Sequence, residues 1–69
     1  KTFEIHFNYS LMNAVMKIIK EHDLNNYDHQ FELSCSLKLD IRIDQVQKVL
    51  DQYKLIKGCK IDPVIPGGA

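Results

Sequence analysis

Three histidines, two cysteines and a close pair of serines are the residues in this chain with chemistry to offer. His6, His22, His29, Cys35 and Cys59 are all metal ligands by type. A zinc site usually draws on close pairs such as Cys-x-x-Cys or His-x-x-x-His, so that one short piece of chain delivers two ligands. None of the five stands at such a spacing, and we expect neither a metal nor any other cofactor. Nucleophilic catalysis would need a serine or cysteine beside a base, with a third group orienting that base. Ser34 and Ser36 could meet His6 if their segments pair, but no nucleophile elbow or glycine-rich turn accompanies them. The glycines are Gly58, Gly67 and Gly68, from which no phosphate-binding loop can be built. No catalytic residue is assigned, and the chain is not expected to be an enzyme.

Size and charge narrow the field further. Sixty-nine residues make one domain, near the lower limit for a core that holds without disulfides or metal. Nine basic and nine acidic residues cancel, so binding to nucleic acid or an anionic membrane would need a local patch. No apolar run reaches the roughly 20 residues that span a bilayer, and no signal peptide opens the chain. Free, buried thiols are the expected state of Cys35 and Cys59, which points to a reducing compartment, the cytoplasm. The start at Lys1, directly in a strand pattern, suggests a piece of a larger protein.

Any such residues must be held by the elements around them, and the clearest of these is the stretch from Phe31 to Ile43. Phe31, Leu33, Cys35, Leu37, Leu39, Ile41 and Ile43 are apolar at every second position, with polar residues between. A period of two segregates these sets onto the two faces of a strand. The run is longer than a typical strand, so its ends are expected to bend into a turn and into a helix start. Phe3, Ile5 and Phe7 alternate in the same way within Lys1 to Phe7. Asn8 or Ser10 can cap the helix that follows, whose stripe is Leu11, Val15, Ile18 and His22, widened by Met12, Ala14 and Ile19. A short ragged strand is expected from Leu24 to Asp28. Val46, Val49, Leu50 and Tyr53 then mark a second helix, with Asp44 and Gln47 resembling a capping box. Cys59 to Ile65 reads as a last strand with Cys59, Ile61 and Ile65 inward. Pro63 confines that strand to a sheet edge, since proline cannot donate to a ladder. The tail from Pro66 to Ala69 is expected to fray.

Strand, helix, strand, strand, helix, strand is an α+β order. Two helices with one apolar stripe each are most simply buried on one face of a four-stranded antiparallel sheet. Right-handed crossovers then give the ferredoxin-like split βαβ arrangement, in spatial order 4-1-3-2, over residues 1–65. Cys35 and Cys59 would be separated by the first strand and too far apart to bridge. On the open face such a sheet would present Thr2, Glu4, His6, Ser34, Ser36, Lys38 and Asp40, with Lys60 and Asp62. No aromatic stands at a stacking position in the first or third strand, so base stacking is disfavoured. His6, Lys38 and Lys60, with Arg42, remain as candidates for contact with RNA or another partner, opposed by Glu4, Asp40 and Asp62.

The order of motifs resembles a family. A strand ending in IHFNYSLMNAV, then NNYDHQF, then DQVQKVLDQY and KGCKI is similar to the C-terminal domain of the YigZ/Impact family. Asn8–Tyr9 matches the pair that opens the first helix there, Phe31 fits the aromatic after the turn, and Gly58 matches the glycine before the last strand. Arg42 stands where the family often has proline. Over Thr2 to Ile65 the resemblance implies a fold like the last domain of elongation factor G. It also implies an N-terminal neighbour of the ribosomal-protein S5 type and a role in translation-related regulation. No catalytic residue carries over. The expected function is thus a non-enzymatic accessory domain that contacts RNA, the ribosome or its own neighbour. A small-ligand regulatory module of the ACT type, or a protein-interaction module, is the alternative. Such an effector site would favour a glycine-rich turn after the first strand, and Asn8-Tyr9-Ser10 has no glycine.

Overall fold

The computed structural model describes residues 1–65. Its elements are β1 (Thr2–Asn8), a 3-10 turn (Tyr9–Leu11), α1 (Met12–Glu21), β2 (Asn25–Phe31), β3 (Ser34–Asp40), a second 3-10 turn (Ile43–Gln45), α2 (Val46–Lys54) and β4 (Lys60–Pro63). The four strands form one antiparallel sheet in the order β2-β3-β1-β4. Read from the other edge, this is the expected 4-1-3-2, and the fold is the ferredoxin-like α+β arrangement. No helix of the described residues is long and apolar enough to cross a membrane.

Alternation decides which face is buried. Phe3, Ile5 and Phe7 of β1 stand opposite Leu39, Leu37 and Cys35 of β3, and all six are buried. Cross-strand partners share a face, so these residues form one continuous apolar surface. Val15, Ile18 and Ile19 of α1 and Val49 and Tyr53 of α2 close over it in a single cluster. Ala14, which the helical stripe was expected to include, is exposed. The Tyr53 hydroxyl donates to the Val15 carbonyl at 3.1 Å and ties the two helices together inside the core. His22 closes α1 and its Nε2 meets Gln52 Oε1 on α2.

The alternating run from Phe31 to Ile43 bends at both ends, as its length leads one to expect: Ser34–Asp40 is β3, the run's first residue already belongs to β2, and its last enters a 3-10 turn. Phe31 ends β2 and pairs with Cys35 of β3, while Leu33 lies in the turn and is 85% exposed. Partners four residues apart point to the same face, so the alternation of the sequence runs through the turn without a break. At the far end Ile41 keeps the buried phase, and its N–H reaches the Lys1 carbonyl at 2.7 Å. Ile43 enters the second 3-10 turn and is exposed.

β2 is longer than the expected Leu24 to Asp28, and a bulge hides its pattern. Tyr27 pairs with Lys38 and Gln30 with Ser36, so Asp28 and His29 together oppose Leu37. Asp28 takes the left-handed conformation, with φ of 53°, which aspartate tolerates better than most residues. The extra residue shifts the phase, putting Asn26 and Phe31, five apart, on one face.

The other differences lie at element ends. Asn8 accepts from Ser10 N at 3.0 Å but caps the 3-10 turn rather than α1. The capping box does not form. α2 begins without a side-chain cap, Asp44 faces Arg42 at 3.6 Å, and Gln47 donates to Asp51 at 2.9 Å. β4 covers Lys60–Pro63 and pairs with β1 alone, which places Pro63 at an edge. Cys59 precedes this strand and is half-buried, and Ile65 is exposed rather than inward. Both cysteines are free; Cys35 is buried and its thiol lies 3.1 Å from the Glu32 carbonyl. The expected tail, Pro66 to Ala69, falls outside the described residues.

Candidate functional site

The face of the sheet away from the helices is built from the second set of each alternating strand. Its rows follow from the pairing. Tyr27, Lys38, Glu4 and Asp62 lie side by side across the four strands, and Gln30, Ser36, His6 and Lys60 form the next row. His6, Lys38 and Lys60, the candidate contact residues, therefore do share this face. His6 and Lys60 are direct cross-strand neighbours, and Lys38 stands beside Glu4. Arg42 does not join them. It follows β3 and pairs with Asp44 off the sheet.

Glu4, His6, Asp28, His29, Gln30, Ser36 and Lys38 line a shallow depression of about 370 Å³ on this face. Its charges answer one another. Lys38 Nζ lies 3.2 Å from Asp28, and His6 Nε2 lies 3.1 Å from Glu4 Oε1. Lys60 forms no ion pair among the described residues. Ser36 stands opposite His6 in register, but no hydrogen bond joins the two among the described residues; the ring nitrogen is turned to Glu4. Among the same residues no group of three His, Cys, Asp or Glu side chains is placed to hold a metal ion. The cysteines stand apart from this face: Cys35 is buried in the core, and burial pushes the Cys59 thiol up to about 11, which keeps it protonated and unreactive at neutral pH.

Asp40 closes one end of the face. Its carboxylate accepts from Asn25 Nδ2 at 3.2 Å, from the Tyr27 hydroxyl at 3.0 Å and from the Thr2 hydroxyl at 3.0 Å, joining β1, β2 and β3. These bonds favour the charged form, the Asn25 bond most, followed by Tyr27 and Thr2, and hold the carboxyl below its ordinary value of 3.8. A carboxyl held low contributes stability above its unfolded pKa and loses it as pH falls through the folded one. Urea midpoints should therefore fall more steeply below pH 3.8 in the native domain than in Asp40→Asn. Parallel curves would mean that the three bonds do not favour the ionised form.

Sequence reasoning missed the β2 side of the site. Asp28, His29 and Gln30 belong to the depression, and Tyr27 is an aromatic on the open face. Tyr27 lies there through its pairing with Lys38, but only the register slip at the bulge brings Asp28, His29 and Gln30 there, and the short polar run carries no alternation to signal it. The asparagines and aspartate of NNYDHQF were legible as turn formers, and Asp28 does adopt the left-handed turn conformation, within a strand. Comparison of the chain with family models, with curated proteins and with solved structures finds no match.

Proposed function

We propose that this is a non-enzymatic accessory domain of a YigZ/Impact-like protein, docking through its open sheet face on an S5-type neighbouring domain in translation-related regulation. The observation that carries the docking surface is the charge of that face. Glu4, Asp28, Asp40 and Asp62 outnumber Lys38 and Lys60, and Lys38 is already held by Asp28. Phosphate contact scales with the cations a surface can bring to the backbone, and here that reduces to Lys60. Stacking is equally limited, because the Tyr27 hydroxyl is tied to Asp40. A polar surface of mixed charge, with side chains already oriented by their partners, suits a polar protein neighbour. Inter-domain surfaces are commonly of this kind. The family assignment rests on the motif resemblance, and the absence of catalysis on the pairing of His6 with Glu4 rather than Ser36.

The test is a titration of the isotope-labelled domain, followed by amide shifts. Addition of the S5-type domain of a YigZ/Impact protein should move Glu4, His6, Ser36, Lys38 and Lys60, while an oligouridine should leave them unmoved. Silence toward the S5-type domain removes the proposal. Shifts with oligouridine that vanish in Lys60→Glu transfer the face to RNA.

A further inference from the structure

The end of the sheet where β1 finishes carries a second surface of different character. Three loops meet there. Tyr9 N donates to the Leu33 carbonyl at 3.1 Å, which joins the first 3-10 turn to the β2–β3 turn. Gly58, in the α2–β4 loop, lies against Leu11, whose Cδ1 would be 3.4 Å from a Cβ at that position. Of the large apolar side chains left exposed, Leu33 (85%), Leu55 (84%), Tyr9 (59%) and Phe31 (48%) all belong to this end. Single exposed aliphatics are ordinary; gathered ones mark interaction surfaces. Lys54, Lys57 and Lys60 flank the group and form no ion pair among the described residues, and Glu32 is the one acidic residue of these loops.

We propose that this end docks an acidic, apolar segment of a protein partner, with Tyr9, Leu33 and Leu55 receiving its apolar side chains and the lysines its carboxylates. Apolar groups with flanking cations would also suit an anionic membrane or an RNA strand. Glu32 decides against both, because it stands between Phe31 and Leu33, where lipid or phosphate would meet a carboxylate. A protein segment can answer that one charge with a lysine or arginine of its own. Apart from Lys60, which borders both surfaces, this end is distinct from the open face, and its test rests on Tyr9, Leu33, Leu55, Lys54 and Lys57, so the two proposals fail separately.

The experiment uses a synthetic amphipathic helical peptide of leucine and glutamate with one lysine to meet Glu32, with oligouridine and phosphatidylserine vesicles in parallel. The peptide should shift the amides of Tyr9, Leu33 and Leu55. Its affinity should fall by about tenfold or more in Leu33→Ser/Leu55→Ser and in Lys54→Glu/Lys57→Glu. These side chains are exposed, so the variants should keep the native urea midpoint, which is measured alongside. Absence of peptide binding, or equal binding by native-like variants, overturns the proposal. So does tighter binding of oligouridine or vesicles at these residues, or concentration-dependent shifts without peptide, which would assign the surface to a second copy.

Discussion

Leu37→Ala is expected to remove about 2–5 kcal/mol of stability, the range for emptying a well-packed leucine site. Leu37 is fully buried on β3 and faces Ile5 across the centre of the sheet. With a strand neighbour on each side and helices above, little is free to collapse into the space. A chain of this length has only about 3–10 kcal/mol to lose, so the variant should be close to unfolding at room temperature. Lys38→Ala, one residue along on the opposite face, removes an exposed ion pair with Asp28 and should cost about 0.2–1 kcal/mol. Urea denaturation of the two variants measures the difference. Equal losses would mean that the sheet is not buried on the face described.

Tyr53 is the second position of large effect. It is fully buried in α2, and its hydroxyl reaches the Val15 carbonyl of α1. Tyr53→Ala should cost about 3–5 kcal/mol. Tyr53→Phe keeps the ring and loses only the hydrogen bond, at about 0.5–1.5 kcal/mol. The two can be separated by pH. Burial, with Cys59 adding to it, pushes the phenol well above its ordinary 10.0, because a buried phenolate would be poorly solvated. A group whose pKa is raised on folding contributes its stability below the unfolded value and loses it as pH climbs toward the folded one. Above about pH 10 the native domain should therefore lose stability that Tyr53→Phe retains. If the phenylalanine variant declines equally over that range, the phenol is not shielded in the core.

Periodicity made the core legible. Phe3, Ile5 and Phe7, and likewise Val49 and Tyr53, declare their buried faces by spacing alone, and Pro63 by its missing N–H assigned β4 to an edge. A turn before β3 was legible from the length of the run, but its place at Glu32–Leu33 was not, because partners an even number of residues apart leave the alternation unbroken. The capping box failed for a related reason: Asp44 and Gln47 have the right spacing, but the chain enters α2 through a 3-10 turn that points both elsewhere. The site was half legible. His6, Lys38 and Lys60 could be placed on one face from strand phase. Whether each charge was already spoken for could not, since the partner of Lys38 is Asp28, brought onto that face by the bulge.

That bulge also bears on what becomes of the domain at high concentration. A four-stranded sheet offers two bare rims to any other extended chain, and a flat rim can template the stacking that ends in fibrils. Here both rims are spoiled. Pro63 has no N–H to give to an incoming strand, and the left-handed Asp28 twists β2 out of line midway along its length. Sequence changes that straighten β2, such as deletion of Asp28, would restore a continuous rim and with it a route to fibril growth.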